Sequence, residues 1–125
     1  MIIGIGVDLE EVSRIGESVE KFKEKFLERI FTAQEVAFCA GKANANQRFA
    51  ARFAAKEAAF KALQASWERG VHWTDFELIT QPGGAPRMEL HRVAAEIARE
   101  KGVKRVHVSF SHTTTHVTAM VVMEG

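Results

Sequence analysis

The 125-residue chain has one cysteine, Cys39. A single thiol closes no internal disulfide and supplies no multi-cysteine zinc site, so neither staple is available to the fold. A reducing compartment suits it, and a cytoplasmic location is expected. Net charge is nearly absent as well, since 17 basic residues against 16 acidic ones leave +1. That balance argues against a general nucleic-acid coat protein, which would be strongly basic, and no nucleic-acid partner is expected. No apolar run approaches the roughly 20 residues of a membrane span. The opening, MIIGIGVDLEE, is apolar for only about seven residues and lacks the basic start of a secretory signal. No membrane partner is expected. There is no G-x-S-x-G elbow for a serine hydrolase, and G-I-G lacks the third glycine of a dinucleotide fingerprint.

What remains is a chain of one-domain size, 46% hydrophobic, able to build a core. Residues 2–8, IIGIGVD, read as a strand ending at Asp8. Leu9, Val12, Ile15 and Val19 then recur at helical spacing, and a further helical stretch carries Phe22, Phe26, Leu27 and Ile30. Thr32 followed three residues on by Glu35 is a capping-box signature, with Gly41 as a stop. A polar loop at 42–47 leads into a long helix over about 46–66. Strands are expected at 76–80 and 87–90 around the turn cluster QPGGAP, a helix from 91 to Gly102, and a terminal hairpin around HTTT. Strands and helices mix without regular alternation, so the expected class is α+β, one domain over 1–125.

The long helix has no polar face. With Phe53 at zero and about 100° per residue, Phe60 and Phe49 lie within about 40° of it, Glu57 lies near +40°, Lys61 near +80° and Lys56 near −60°. Ala54, Ala55, Ala58, Ala59 and Ala62 fill the opposite side. Such a helix is packed on most sides, which places Glu57 and Lys61 at the edge of a packed region, where charges need partners. They read either as an ordinary i,i+4 ion pair or as a carboxylate facing a cation and a lysine facing an anion.

Two other polar sets sit in apolar places. Strand alternation sets Ile3, Ile5 and Val7 on one face, with Ile2, Gly4, Gly6 and Asp8 on the other. Asp8 either caps the following helix or, joined by a second carboxylate, binds Mg²⁺ with water and phosphate. In SFSHTTTH, the hydroxyl-rich hairpin tip reads as an anion site or as an ordinary turn.

GIGVDLEEVSRI, RFAAKEAAFKAL and VHVSFSHTTTHVTAMVV, in that order and spacing, together resemble the holo-[acyl-carrier-protein] synthases, the small trimeric 4′-phosphopantetheinyl transferases. The resemblance covers essentially the whole chain. It implies transfer of the phosphopantetheine arm of coenzyme A to a serine of apo acyl carrier protein, with adenosine 3′,5′-bisphosphate as the other product, in support of fatty acid biosynthesis. It further implies Mg²⁺ held by Asp8 and Glu57, and Lys61 beside the pyrophosphate in a proton-transfer role. Glu57, or a water on the metal, could serve as the base instead. Coenzyme A contacts are implied for Arg52, Lys56, Gly84, Pro86, Ser111 and His112, the last two from a neighbouring subunit of a homotrimer. Arg14 is implied in docking the acidic carrier protein. Two departures stand out: QASWERG replaces a common Gly-Thr-Gly turn, and Gly84-Ala85-Pro86 replaces Gly-Lys-Pro. A non-catalytic module binding coenzyme A or an acidic protein, and a Mg²⁺-dependent pyrophosphatase, are the competing readings.

Overall fold

A computed structural model describes all 125 residues. The class is α+β. A three-stranded antiparallel sheet has the order β1 (Ile2–Glu11), β5 (His116–Glu124), β4 (Arg105–His112), and β2 (Phe76–Thr80) and β3 (Pro86–Leu90) form a separate antiparallel hairpin. The helices are α1 (Val12–Phe22), α2 (Glu24–Ile30), α3 (Ala33–Cys39), α4 (Ala45–Leu63) and α5 (Arg92–Lys101), with short 3-10 turns at Trp67–Arg69 and Trp73–Asp75.

The centre of the molecule is α4 lying on one face of the β1-β5-β4 sheet. Ala54, Ala55, Ala58 and Ala59 are fully buried, as are Val121 and Met123 of β5. The approach is closest at β1, where glycine permits it. A Cβ on Gly4 would collide with the backbone carbonyl of Ala62, and one on Gly6 with the carbonyl of Ala58. Methyl-sized side chains on the helix and bare backbone on the strand let the two elements touch. The opposite side of α4 packs on aromatics, with Phe53 5.3 Å from Trp73 and Phe60 stacked 4.3 Å from Trp67.

Several boundaries differ from the sequence reading. β1 does not stop at Asp8; it pairs with β5 through Glu11 opposite His116, and Val12 N–H then donates to Thr115 O at 2.9 Å. The ladder overrides the helical spacing that begins at Leu9, and Leu9 stands exposed on the outer sheet face. Asp8 lies inside this ladder, opposite Ala119, so it caps no helix; Glu11 precedes α1 and offers no side-chain cap. A bulge between Ile2 and Gly4 breaks the simple alternation: Gly4, Gly6 and Asp8 keep one face, while Ile2 is exposed. The Thr32–Glu35 capping box forms as expected. The long helix is shorter than expected, because Gln64 takes a left-handed conformation (φ 54°) and ends it at Leu63.

Gly6→Ala is expected to lose at least about 3 kcal/mol of stability, since the carbonyl it meets is backbone and has no rotamer to yield. Chemical denaturation measures this; a loss under about 1 kcal/mol would mean that β1 and α4 can separate cheaply.

Candidate active site

The site begins with the strand period. Gly4, Gly6, Asp8 and Glu10 follow one another at every second residue of β1, and the glycine pair puts that face against α4. Lys61, on the last turn of α4, reaches across to donate to Val7 O at 3.0 Å and to Asp8 Oδ1 at 3.3 Å. Thr118 Oγ1 donates to the Asp8 backbone carbonyl at 2.9 Å and steadies the strand there. Asp8 Oδ2 is buried, and no N–H or hydroxyl of the chain donates to it. A buried carboxylate oxygen without a partner is costly and needs an explanation.

Glu57 lies one helical turn before Lys61. Burial, then the charge of Asp8, pushes its carboxyl above the ordinary value, with Lys61 opposing. Glu10 is pushed up to about 8, first by burial, then by a hydrogen bond to Asp8 and by the charges of Asp8 and Glu57. Three carboxyl groups thus crowd one edge of the sheet, with half-exposed Lys61 as the cation bonded to Asp8. Carboxyl groups crowded and buried in this way are what a bound cation would relieve. The donor set is all oxygen, which suits a hard divalent ion, so the residues present fit Mg²⁺. Glu10 was hidden in the sequence because the run after Asp8 reads as helix; continuing the strand period by two residues would have found it.

A second group gathers at the opposite edge of the sheet. A cavity of about 230 Å³ is lined by Arg48, Arg52, Thr80, Gly84, Phe110 and His112, among others. Arg52 is almost fully buried, donates to Thr80 Oγ1 at 2.9 Å and lies over the Phe38 ring at 4.2 Å, yet its Nε has no partner. Pro86 is nearby, paired with Thr80 across the β2–β3 hairpin. Three of the residues expected around coenzyme A therefore meet in one concave, cationic place, and Gln47 and Arg48 join them from the start of α4.

Lys56 does not belong there. It is fully buried, 2.6 Å from the equally buried Glu35, and it donates to the carbonyls of Phe76 and Trp73. Glu35 in turn accepts from the N–H groups of Thr32 and Leu78. With its ammonium consumed inside, Lys56 offers nothing to a ligand, so its expected coenzyme contact is corrected. Burial lowers its pKa, with Glu35 holding it partly back. Ser111 is also separated from His112: neighbouring strand residues face opposite ways, and Ser111 shares the outer sheet face with Leu9 through their common partner Thr118. Lys61 is half exposed. Arg14 is exposed on α1 beside a groove of about 660 Å³ that also includes Glu10, Lys21 and Phe53.

Residues 4–121 match the family model of the 4′-phosphopantetheinyl transferase superfamily. The chain belongs to this family. A holo-[acyl-carrier-protein] synthase of Koribacter versatilis is 49% identical over 99% of both chains. The solved holo-[acyl-carrier-protein] synthase of Neisseria meningitidis superposes with a TM-score of 0.90, at 31% identity over 100% of both chains. That of Helicobacter pylori, solved in complex with coenzyme A, gives 0.83 at 32% identity, covering 96% of this chain and 99% of the other. The chain is thus an enzyme of the phosphopantetheinyl transferase type.

An unfolded glutamate releases its proton near 4.5, while folded Glu10 keeps it to about 8. The native state therefore binds the extra proton across that window, and this contribution to stability is lost as pH rises through it. Glu10→Gln keeps the hydrogen bond without the charge. In metal-free protein its melting temperature relative to wild type is expected to climb as pH goes from 4.5 to 8; a flat difference across those pH values would contradict the crowded-carboxyl picture.

Proposed function

We propose that this transferase moves the 4′-phosphopantetheine arm of coenzyme A to a serine of apo acyl carrier protein, releases adenosine 3′,5′-bisphosphate, depends on Mg²⁺ and serves fatty acid biosynthesis. The observation that carries the reading is the buried Oδ2 of Asp8, to which no N–H or hydroxyl donates, beside Glu57 and Lys61. The coenzyme A complex of the Helicobacter pylori relative supports the donor substrate.

In the reaction the acceptor serine gives its hydroxyl proton to a base at the site, Glu57, Lys61 or a water, and its oxygen bonds to the phosphorus that carries pantetheine. The bond from that phosphorus to the bridging oxygen breaks, and the leaving phosphate departs on the adenosine fragment. Asp8 and Glu57 would hold Mg²⁺, with Glu10 beside them, and the ion supplies charge neutralisation at the phosphate oxygens when bound. Lys61 keeps N–H donors on the open side of Asp8, where a pyrophosphate oxygen would arrive. Arg52 and His112, near Gly84 and Pro86 at the opposite edge, would hold the coenzyme, His112 reaching it from a neighbouring subunit. Arg14 and Lys21, both exposed on α1, present positive charge to an acidic carrier protein. No helix is long and apolar enough to cross a membrane, which is compatible with work on soluble cytoplasmic substrates.

A homotrimer is part of the proposal. Ile5, Val7, Leu9 and Met120 lie on one face of the sheet, each more than half exposed. A contiguous apolar face of this kind marks an interaction surface, and Ser111 on that same face would be brought to a neighbouring copy. Leu9→Lys is expected to shift the molar mass measured by light scattering from three chains toward one. A wild-type mass of one chain would remove the trimer.

The deciding experiment is intact-mass spectrometry of apo acyl carrier protein incubated with this protein, coenzyme A and Mg²⁺, beside a tube with chelator. One phosphopantetheine should be gained only with Mg²⁺. Asp8→Asn and Glu57→Gln should fold normally and lose transfer on the order of a hundredfold or more. Binding of coenzyme A with no transfer would turn the reading to a binding module, and cleavage of coenzyme A without an acceptor would turn it to a pyrophosphatase.

A further inference from the structure

The side-chain amide of Gln47, in the first turns of α4, points its Nε2 at two atoms of the terminal hairpin. It donates to the backbone carbonyl of Thr113 at 3.0 Å and lies 2.9 Å from Nδ1 of His112. The first contact decides the second. A carbonyl oxygen only accepts, so the group facing it must be the amide NH₂ and not the amide oxygen. The same NH₂ then faces His112 Nδ1, and an NH₂ only donates. Nδ1 must therefore be the bare, accepting nitrogen, which leaves the ring proton on Nε2. An imidazolium would set N–H against N–H at this contact.

His112 Nε2 has no partner within the chain, and the ring lines the cationic cavity with Arg48 and Arg52. Arg48 is itself held in place by Nε donation to Asn44 Oδ1 at 2.8 Å. Buried Arg52, with its unpartnered Nε, is the second feature there that calls for an acceptor. All three side chains offer donors, and none of the carboxylates described above lies among the residues that line the cavity.

We propose that Gln47 is a positioning residue: it locks His112 in the neutral Nε2–H tautomer, so that the ring donates to a phosphate oxygen of coenzyme A alongside Arg48 and Arg52. The ligand in this statement rests on the coenzyme reading above. The tautomer does not.

The test separates the two. Long-range ¹⁵N–¹H spectra of the histidine rings, recorded above neutral pH on the free protein, should show His112 with Nδ1 bare and Nε2 protonated. Gln47→Leu should release it to a mixture, and Gln47→Glu, whose carboxylate accepts, should move the proton to Nδ1. Calorimetry of coenzyme A binding to the Leu variant should show affinity weakened roughly three- to tenfold, the scale of one hydrogen bond. The affinity loss should vanish in a His112→Ala background. A wild-type Nδ1–H signature, or a Leu variant with unchanged tautomer and affinity, overturns the proposal. The expected tautomer with no coenzyme A binding by the wild type overturns its ligand half together with the function it rests on, and the spectrum shows that the Gln47 contact was not what failed.

Discussion

Everything near the site depends on the distance between β1 and α4. That distance is set by Gly4 and Gly6 on the strand against the backbone of Ala58 and Ala62 on the helix. Ordinary strand side chains there would hold the helix several ångströms further away. Asp8 would still face it, but Lys61 could not reach Asp8 Oδ1 and Val7 O at once. The close contact also seals Asp8 Oδ2 from solvent. Desolvation that would be only costly elsewhere becomes useful here, because a buried carboxylate gains more from a cation than an exposed one does.

The rotation of α4 about its own axis is a separate constraint, and a buried ion pair sets it. Lys56 and Glu35 are both out of water, and every oxygen of Glu35 has a donor. Such a pair adds little net stability compared with well-packed apolar groups, but leaving either member alone is expensive. The pair therefore selects one orientation of the helix. With Lys56 drawn inward toward β2, Glu57 and Lys61 must turn toward β1. One charge is spent inside so that the next two have a fixed direction.

Much of this was legible in the residues. The alternating glycines of IIGIGVD, the helix with no wet face, the Thr32–Glu35 box and the glycine stop at Gly102 each carry a local cause that survives folding. Asp8, Glu57 and Lys61, which only the family resemblance had joined, are neighbours because one strand face and one helix edge bring them to the same spot. What was missed depends on contacts distant in sequence. Pairing with β5 carried β1 past Asp8, which moved Leu9 to an outer face and exposed the carboxylate role of Glu10. Lys56 looked like a surface cation until Glu35, about twenty residues earlier, was seen to claim it. Ser111 and His112 are adjacent in sequence and opposed in space, since strand period separates neighbours.

The stretch QASWERG after α4 begins with Gln64, so the helix stops without a glycine at its end. A helix commonly ends with glycine in the left-handed region, where other residues pay about 1 kcal/mol or more. Here Gln64 takes that conformation at φ 54°. Its strain is met by neighbours: the Gln64 N–H closes on carbonyls of the last turn, and Lys101 donates to the Leu63 carbonyl at 2.6 Å. The Trp67 ring then stacks on Phe60, one residue before Lys61. An aromatic lid, a lysine cap and a strained glutamine together stop the helix where a glycine would have. The last turn, which carries Lys61 toward Asp8, is thereby held from both sides.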